Sequence, residues 1–154
     1  MSYHTILVPY DGSAFSNKAL EHAVNIAKNY NSAIYLYTVV SSGAIIPPGS
    51  LLGLTRNTTK DKIKQKLVKS LKEETEKELS KKVEQCERKG VTAQYIISAG
   101  DNVAEEILKA AKKKNVDLIV IGSQGLYGLS KIKSLGSTSR KVAESSPCPV
   151  LIIR

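Results

Sequence analysis

Residues 5–27 read TILVPYDGSAFSNKALEHAVNIA. Thr5 to Pro9 is a short apolar run closed by the turn-forming stretch Tyr10-Asp11-Gly12-Ser13, the pattern of a buried strand. Beyond the turn, Leu20, Ala23, Val24 and Ala27 fall at i, i+3, i+4 and i+7. That spacing gives one apolar helix face, and Ser13 or Ser16 can cap its start. A strand feeding through a tight turn into an amphipathic helix is the unit from which parallel sheets are built.

The same unit recurs outward from this stretch. Ala33 to Val40 (AIYLYTVV) reads as a second strand, followed by a long loop over 41–58 whose glycines and paired prolines sustain neither helix nor strand. From Thr59 to Arg88 a helical row runs through Ile63, Leu67, Leu71, Leu79 and Val83, with Cys86 close to the stripe and Gly90 placed to end it. Val91 to Ser98 forms a third strand. Asp101 is placed to cap a helix with Ala104, Ile107, Leu108 and Ala111 on one face, and Asp117 to Ile121 forms a fourth strand. A last helix near Ser137 to Ser145 leads through Pro147 and Pro149 into a fifth strand, Val150 to Arg154. Strands alternating with helices predict parallel pairing, right-handed crossovers and helices on both faces. The near-continuous apolar strands agree, since a strand covered on both faces needs no polar side. The expectation is a single α/β domain over residues 1–154, an open five-stranded parallel sheet of Rossmann-like form.

Composition narrows the function classes. A chain of 154 residues buries enough surface to fold without disulfides, and Cys86 and Cys148 have neither metal-ligand spacing nor a nearby histidine. The net charge is +9, and the interval Lys60 to Lys89 holds 11 basic and 7 acidic residues, a pattern usual for a solvated helix surface. No arginine-plus-aromatic pattern for stacking bases accompanies it, so no specific nucleic-acid partner is expected. The opening MSYHTILVPYDGS does not read as a signal peptide, and no apolar run reaches the roughly 18 residues of a membrane span. A cytoplasmic protein with no membrane partner is the expectation.

In an open α/β sheet the ligand crevice lies beyond the carboxyl ends of the strands, where strand order reverses. Two strand ends stand out: Pro9 to Ser13 after the first strand, and Gly122-Ser123-Gln124-Gly125-Leu126-Tyr127-Gly128 after the fourth. If those strands are neighbours, both loops face one crevice. Gly136-Ser137-Thr138-Ser139 opens the last helix and offers backbone donors, hydroxyls and a positive dipole end to an anion. Each piece has an ordinary reading as well: Gly122 and Gly125 as turn formers, Ser137 as a helix cap, Asp11 as a turn residue. Their joint placement is what suggests a phosphate cradle. Neither G-x-x-x-x-G-K-[ST] nor a G-x-G-x-x-G after the first strand is present, which argues against a P-loop NTPase or a nicotinamide dehydrogenase. A phosphoacceptor receiver is not expected either, because Asp11 has no second carboxylate beside it and the sequence stops at Arg154, where the fifth strand ends. His4 and His22 have no candidate nucleophile near them in sequence, and no general acid–base pair is recognisable.

From ILVPYDGS through GDNVAEEIL and DLIVIGSQG to GSTSRKVAESSPCPVLIIR the chain resembles the universal stress protein family, which has the adenine nucleotide alpha-hydrolase-like fold. ATP-binding members carry G-x2-G-x9-G-[ST]; this chain has Gly122-x2-Gly125 and then Gly136-Ser137, with ten residues between Gly125 and Gly136. One added residue costs little in loop-closure entropy. The resemblance implies that Asp11 holds the ribose or adenine side with Pro9 beside it, that Val39 offers backbone contacts to the base, and that Ile121 and Gly122 line the nucleotide. It further implies that Gly125, Gly136, Ser137, Thr138 and Ser139 surround ribose and phosphates. ATP or AMP is the implied ligand, with a divalent ion such as Mg2+ on the phosphates. Lys131 and Lys133, on the intervening loop, could add charge there or stay solvated. A homodimer paired through Val150 to Ile153 is implied as well, in keeping with the cover that an apolar edge strand needs. The family reading is a stress-response regulator, a dimeric sensor or adaptor with an unidentified protein partner. A nucleotide-free adaptor and a slow ATPase or phosphotransferase are the alternatives.

Overall fold

A computed structural model describes residues 2–41, 57–126 and 134–154, with side chains described from 61 onward in the long helix. The loop over 41–58 (apart from its first and last residues), Lys131 and Lys133 lie outside the described residues. The elements run β1 (Thr5–Pro9), α1 (Ala14–Tyr30), β2 (Ala33–Val40), α2 (Asn57–Arg88), β3 (Ala93–Ala99), α3 (Val103–Lys113), β4 (Leu118–Gly122), α4 (Ser137–Ser145) and β5 (Val150–Ile153). All strand pairs are parallel, in the order β3-β2-β1-β4-β5. The five-stranded parallel sheet inferred from the alternation is therefore observed.

Alternation of side chains along β1 divides the core. Ile6 and Val8 point to one face, where they pack with Ala19, Leu20, Ala23 and Val24 of α1 and with Leu79 and Cys86 of α2. Leu7 points to the other, with Ala104, Ile107 and Ala111 of α3 and Val142 of α4. The central strands β1 and β4 are buried almost throughout, whereas the edge strand β3 is mostly half-buried.

Two boundaries differ from the sequence reading, each for a local hydrogen-bonding reason. Asn102, not Asp101, caps α3, its side chain accepting from Glu105 N at 3.2 Å. Val91 lies in the turn that closes α2 rather than in β3: Gly90 takes φ +78° and Val91 N donates back to Cys86 O at 3.0 Å, with the Val91 side chain buried in the core. The apolar row of α2 is also only half a core row. Leu79 and Cys86 are buried, but Leu67 and Leu71 are exposed.

Candidate functional site

Because β2 and β3 lie on one side of β1 and β4 and β5 on the other, strand order reverses between β1 and β4. The loops after these two strands meet there. Tyr10 N donates to Tyr37 O at 2.9 Å and Thr38 Oγ1 donates to Tyr10 O at 2.7 Å, which anchors the turn to β2. Gly12 then takes φ +82°, the left-handed region that a side chain disfavours, and Ser13 caps α1 by accepting from Ser16 N. Of the two capping candidates, Ser13 is the cap.

The carboxylate of Asp11 joins the two loops. Oδ1 accepts from Ser13 N at 2.9 Å, within its own turn, and Oδ2 accepts from Leu126 N at 3.2 Å, across the crevice. A Cβ on Gly125 would stand 2.8 Å from the same Oδ2, so a side chain there would displace the Asp11 carboxylate from this position. Gly122 faces a different constraint. A Cβ there would lie 2.7 Å from Phe15 Cβ and 2.8 Å from its backbone carbon, so this glycine lets α1 pack against β4. Sequence reasoning placed Gly122 against a ligand; the geometry shows that it is also needed for packing.

On the far side of the crevice Gly136 N donates to Ser123 O at 2.8 Å, and Gln124 Nε2 donates to Ser134 O at 3.1 Å, which brings the start of α4 against the loop after β4. Gly136 is the N-cap of α4 and makes no side-chain capping bond. The first-turn donors Ser137 N and Thr138 N have no protein acceptor among the described residues, as the first amides of a helix do not unless something outside it accepts them. Ser137 is exposed and Thr138 half-buried, whereas Ser139 is buried with its hydroxyl at 2.9 Å from Ser123 O and 3.0 Å from Gly136 O. Ser139 thus braces the cradle from behind. Ile121 and Pro9 are buried at the ends of their strands, and Val39 is half-buried near the carboxyl end of β2.

Local patterns did not reveal a further group behind the Asp11 turn. The hydroxyl of Tyr10 donates to Glu78 Oε1 of α2 at 2.9 Å, with Asn17 Oδ1 at 3.1 Å, and Lys82 Nζ donates to the same Asn17 oxygen at 2.8 Å. Burial first, and then the Glu78 carboxylate, push the Tyr10 phenol well above its ordinary range, so it stays a neutral donor. Tyr10 and Glu78 are separated by 68 residues. Only an unusual aromatic inside a polar turn hinted at this contact. The partly open cavity beside this group, about 70 Å3 and lined by Asn17, Leu20, Lys82 and Cys86 among others, is too small for a nucleotide.

Comparison with known proteins places this geometry in context. The chain matches the Universal stress protein family over residues 2–154. It is 37% identical to the universal stress protein YxiE of Bacillus subtilis, with 99% of each chain covered. Among solved structures it superposes on the universal stress protein UspA from Lactobacillus plantarum with a TM-score of 0.84 at 26% identity, covering 100% of this chain and 99% of that one. An Archaeoglobus fulgidus universal stress protein in complex with dAMP shares the fold at 23% identity and a TM-score of 0.59, with both chains covered in full. This chain belongs to the universal stress protein family.

Proposed function

We propose that the chain binds an adenine nucleotide, ATP in the first instance, in the crevice between the loops after β1 and β4, and acts as a nucleotide-dependent regulator. The observation that carries this is the start of α4, held against the Ser123–Gly125 loop with Ser137 N and Thr138 N lacking acceptors among the described residues. In this reading Gly125, Gly136, Ser137 and Thr138 surround the ribose and phosphates, and Ser139 contributes through its backbone. Asp11 takes the ribose or adenine side beside Pro9. Val39 offers backbone contacts to the base, and Ile121 and Gly122 line the nucleotide. A divalent ion such as Mg2+ would ride on the phosphates.

The reading as a regulator rather than an enzyme rests on Asp11, whose two oxygens accept from the backbone of Ser13 and Leu126 and are therefore engaged in joining the two loops. Nucleotide entry would compete with the Leu126 contact, so occupancy would be felt by the loop that follows. The apolar edge strand β5, with Leu151 exposed, supports a homodimer paired through Val150 to Ile153.

Calorimetric titration with ATP and AMP, with and without Mg2+, tests the proposal on protein shown by mass to carry no nucleotide. Binding near the micromolar range, about 8 kcal/mol, is the expected result. Folded, empty protein that binds neither nucleotide would leave the nucleotide-free adaptor in its place.

A further inference from the structure

α2 carries two apolar rows, and only one meets the sheet. In its second half Leu79 and Cys86 are buried with Val83 beside them, and Glu76, Glu78 and Lys82 hydrogen bond to Tyr95, Tyr10 and Asn17. In its first half Ile63, Leu67 and Leu71 follow at four-residue steps. At 100° per residue, the centre of this row lies about 130° around the helix axis from the row of Leu79, Val83 and Cys86. Leu67 and Leu71 are each 37% exposed. Among the described residues, no side chain from 61 to 74 hydrogen bonds or ion-pairs with another element.

Charge is segregated along the same helix. Lys60 to Lys72 holds six lysines and one acid, Asp61, whereas Glu73 to Arg88 holds six glutamates and four basic residues. Lys62, Lys64, Lys66, Lys69 and Lys72 are all exposed, and among the described residues none is in an ion pair. The first turn has no acidic residue to offset the positive end of the helix dipole, and the lysine run begins there at Lys60. An anionic partner would relieve both.

We propose that the first half of α2 is a docking face for an anionic phospholipid surface, with Ile63, Leu67 and Leu71 entering the headgroup boundary and Lys64 and Lys66 reaching the lipid phosphates. An apolar row flanked by Lys64 and Lys66, with Lys62, Lys69 and Lys72 on the opposite polar face, is the pattern of a helix that lies in a membrane interface. A nucleic-acid backbone would engage the lysines and leave the leucines in water. A second copy would bring like charges together, because Lys64 and Lys66 flank the row on either side. The absence of a membrane span, which led to the expectation of no membrane partner, bears on crossing a bilayer and not on lying against one.

The test is co-sedimentation of the full chain with vesicles of phosphatidylcholine alone and with about 30 mol% phosphatidylglycerol, at about 0.15 M salt. Partition about tenfold stronger onto the anionic vesicles is expected, lost in Lys64→Glu/Lys66→Glu and cut about tenfold in Leu67→Gln/Leu71→Gln. A second readout is Leu67→Trp, which places a single tryptophan in a chain that has none; its emission should shift to the blue on anionic vesicles. Four results would overturn the proposal: no partition of the wild-type chain, partition unaffected by the leucine changes, equal binding to polyuridylate, or self-association that the leucine changes abolish.

Discussion

The two walls of the crevice are built on opposite terms. On the β1 side the polar side chains are engaged within the protein: Asp11 accepts from Ser13 N and Leu126 N, Ser13 caps α1, Tyr10 donates to Glu78, and Thr38 holds the carbonyl of Tyr10. On the α4 side the cap residue is a glycine, and the amides of Ser137 and Thr138 have no protein acceptor among the described residues. Satisfied groups rigidify, whereas unsatisfied donors at a helix start attract negative charge. In the proposed function, that difference assigns the phosphates to the α4 wall and the nucleoside to the β1 wall.

Breaking both walls together should give the largest effect. The loop after β4 touches each of them, and Gly122→Val drives a side chain into Phe15, so a loss of about 3 kcal/mol of stability is expected in denaturant titrations. Nucleotide affinity would fall with it, which makes this substitution a poor probe of binding alone. Asp11→Ala acts on the β1 wall only. It removes the acceptor for two backbone N–H groups, and calorimetry should show nucleotide affinity reduced about thirtyfold, close to 2 kcal/mol, with a smaller loss of stability.

Ser137→Pro isolates the α4 wall. Proline is accepted at the first helical position, and Gly136, at φ −62° and ψ 159°, already has the extended conformation that a residue before proline needs. One donor disappears while the helix stays. Affinity for ATP should drop about tenfold with an unchanged melting temperature. Tyr10→Phe sharpens the other side. Losing the bond to Glu78 should cost about 1 kcal/mol of stability and weaken nucleotide binding only slightly.

The smallest effect concerns pH. Burial, before any other cause, raises the phenols of Tyr10 and Tyr37 above the ordinary tyrosine value of about 10. The fold therefore favours their neutral forms. Their contribution is complete below about pH 10 and is lost as pH rises toward the elevated folded values. Thermal melts from pH 8 to 11 should show a decline at the alkaline end that Tyr10→Phe makes shallower.

What could be read from sequence follows the range of the interactions. Strand and helix periods are local, so the alternating elements and the parallel sheet were legible from residues such as Ile6 to Val8 and the Leu20-Ala23-Val24-Ala27 face. Caps depend on one side chain's reach, which is why Asn102 rather than Asp101 takes that place. The row on α2 looked continuous because four-residue steps drift about 40° each time, and a one-dimensional pattern does not show the drift carrying Leu67 and Leu71 away from the sheet. In the site, the glycines and the start of α4 were visible as motif. The bond from Asp11 to Leu126, across 115 residues, and the packing of Gly122 on Phe15 arise only when the strands are set side by side.

The most direct test of a phosphate wall and a nucleoside wall is to titrate ATP and adenosine against wild type, Asp11→Ala and Ser137→Pro. Asp11→Ala should weaken both ligands by similar factors, whereas Ser137→Pro should weaken ATP about tenfold and leave adenosine unchanged. Equal losses for ATP and adenosine in Ser137→Pro, or ATP affinity untouched by it, would contradict the assignment of phosphates to the start of α4.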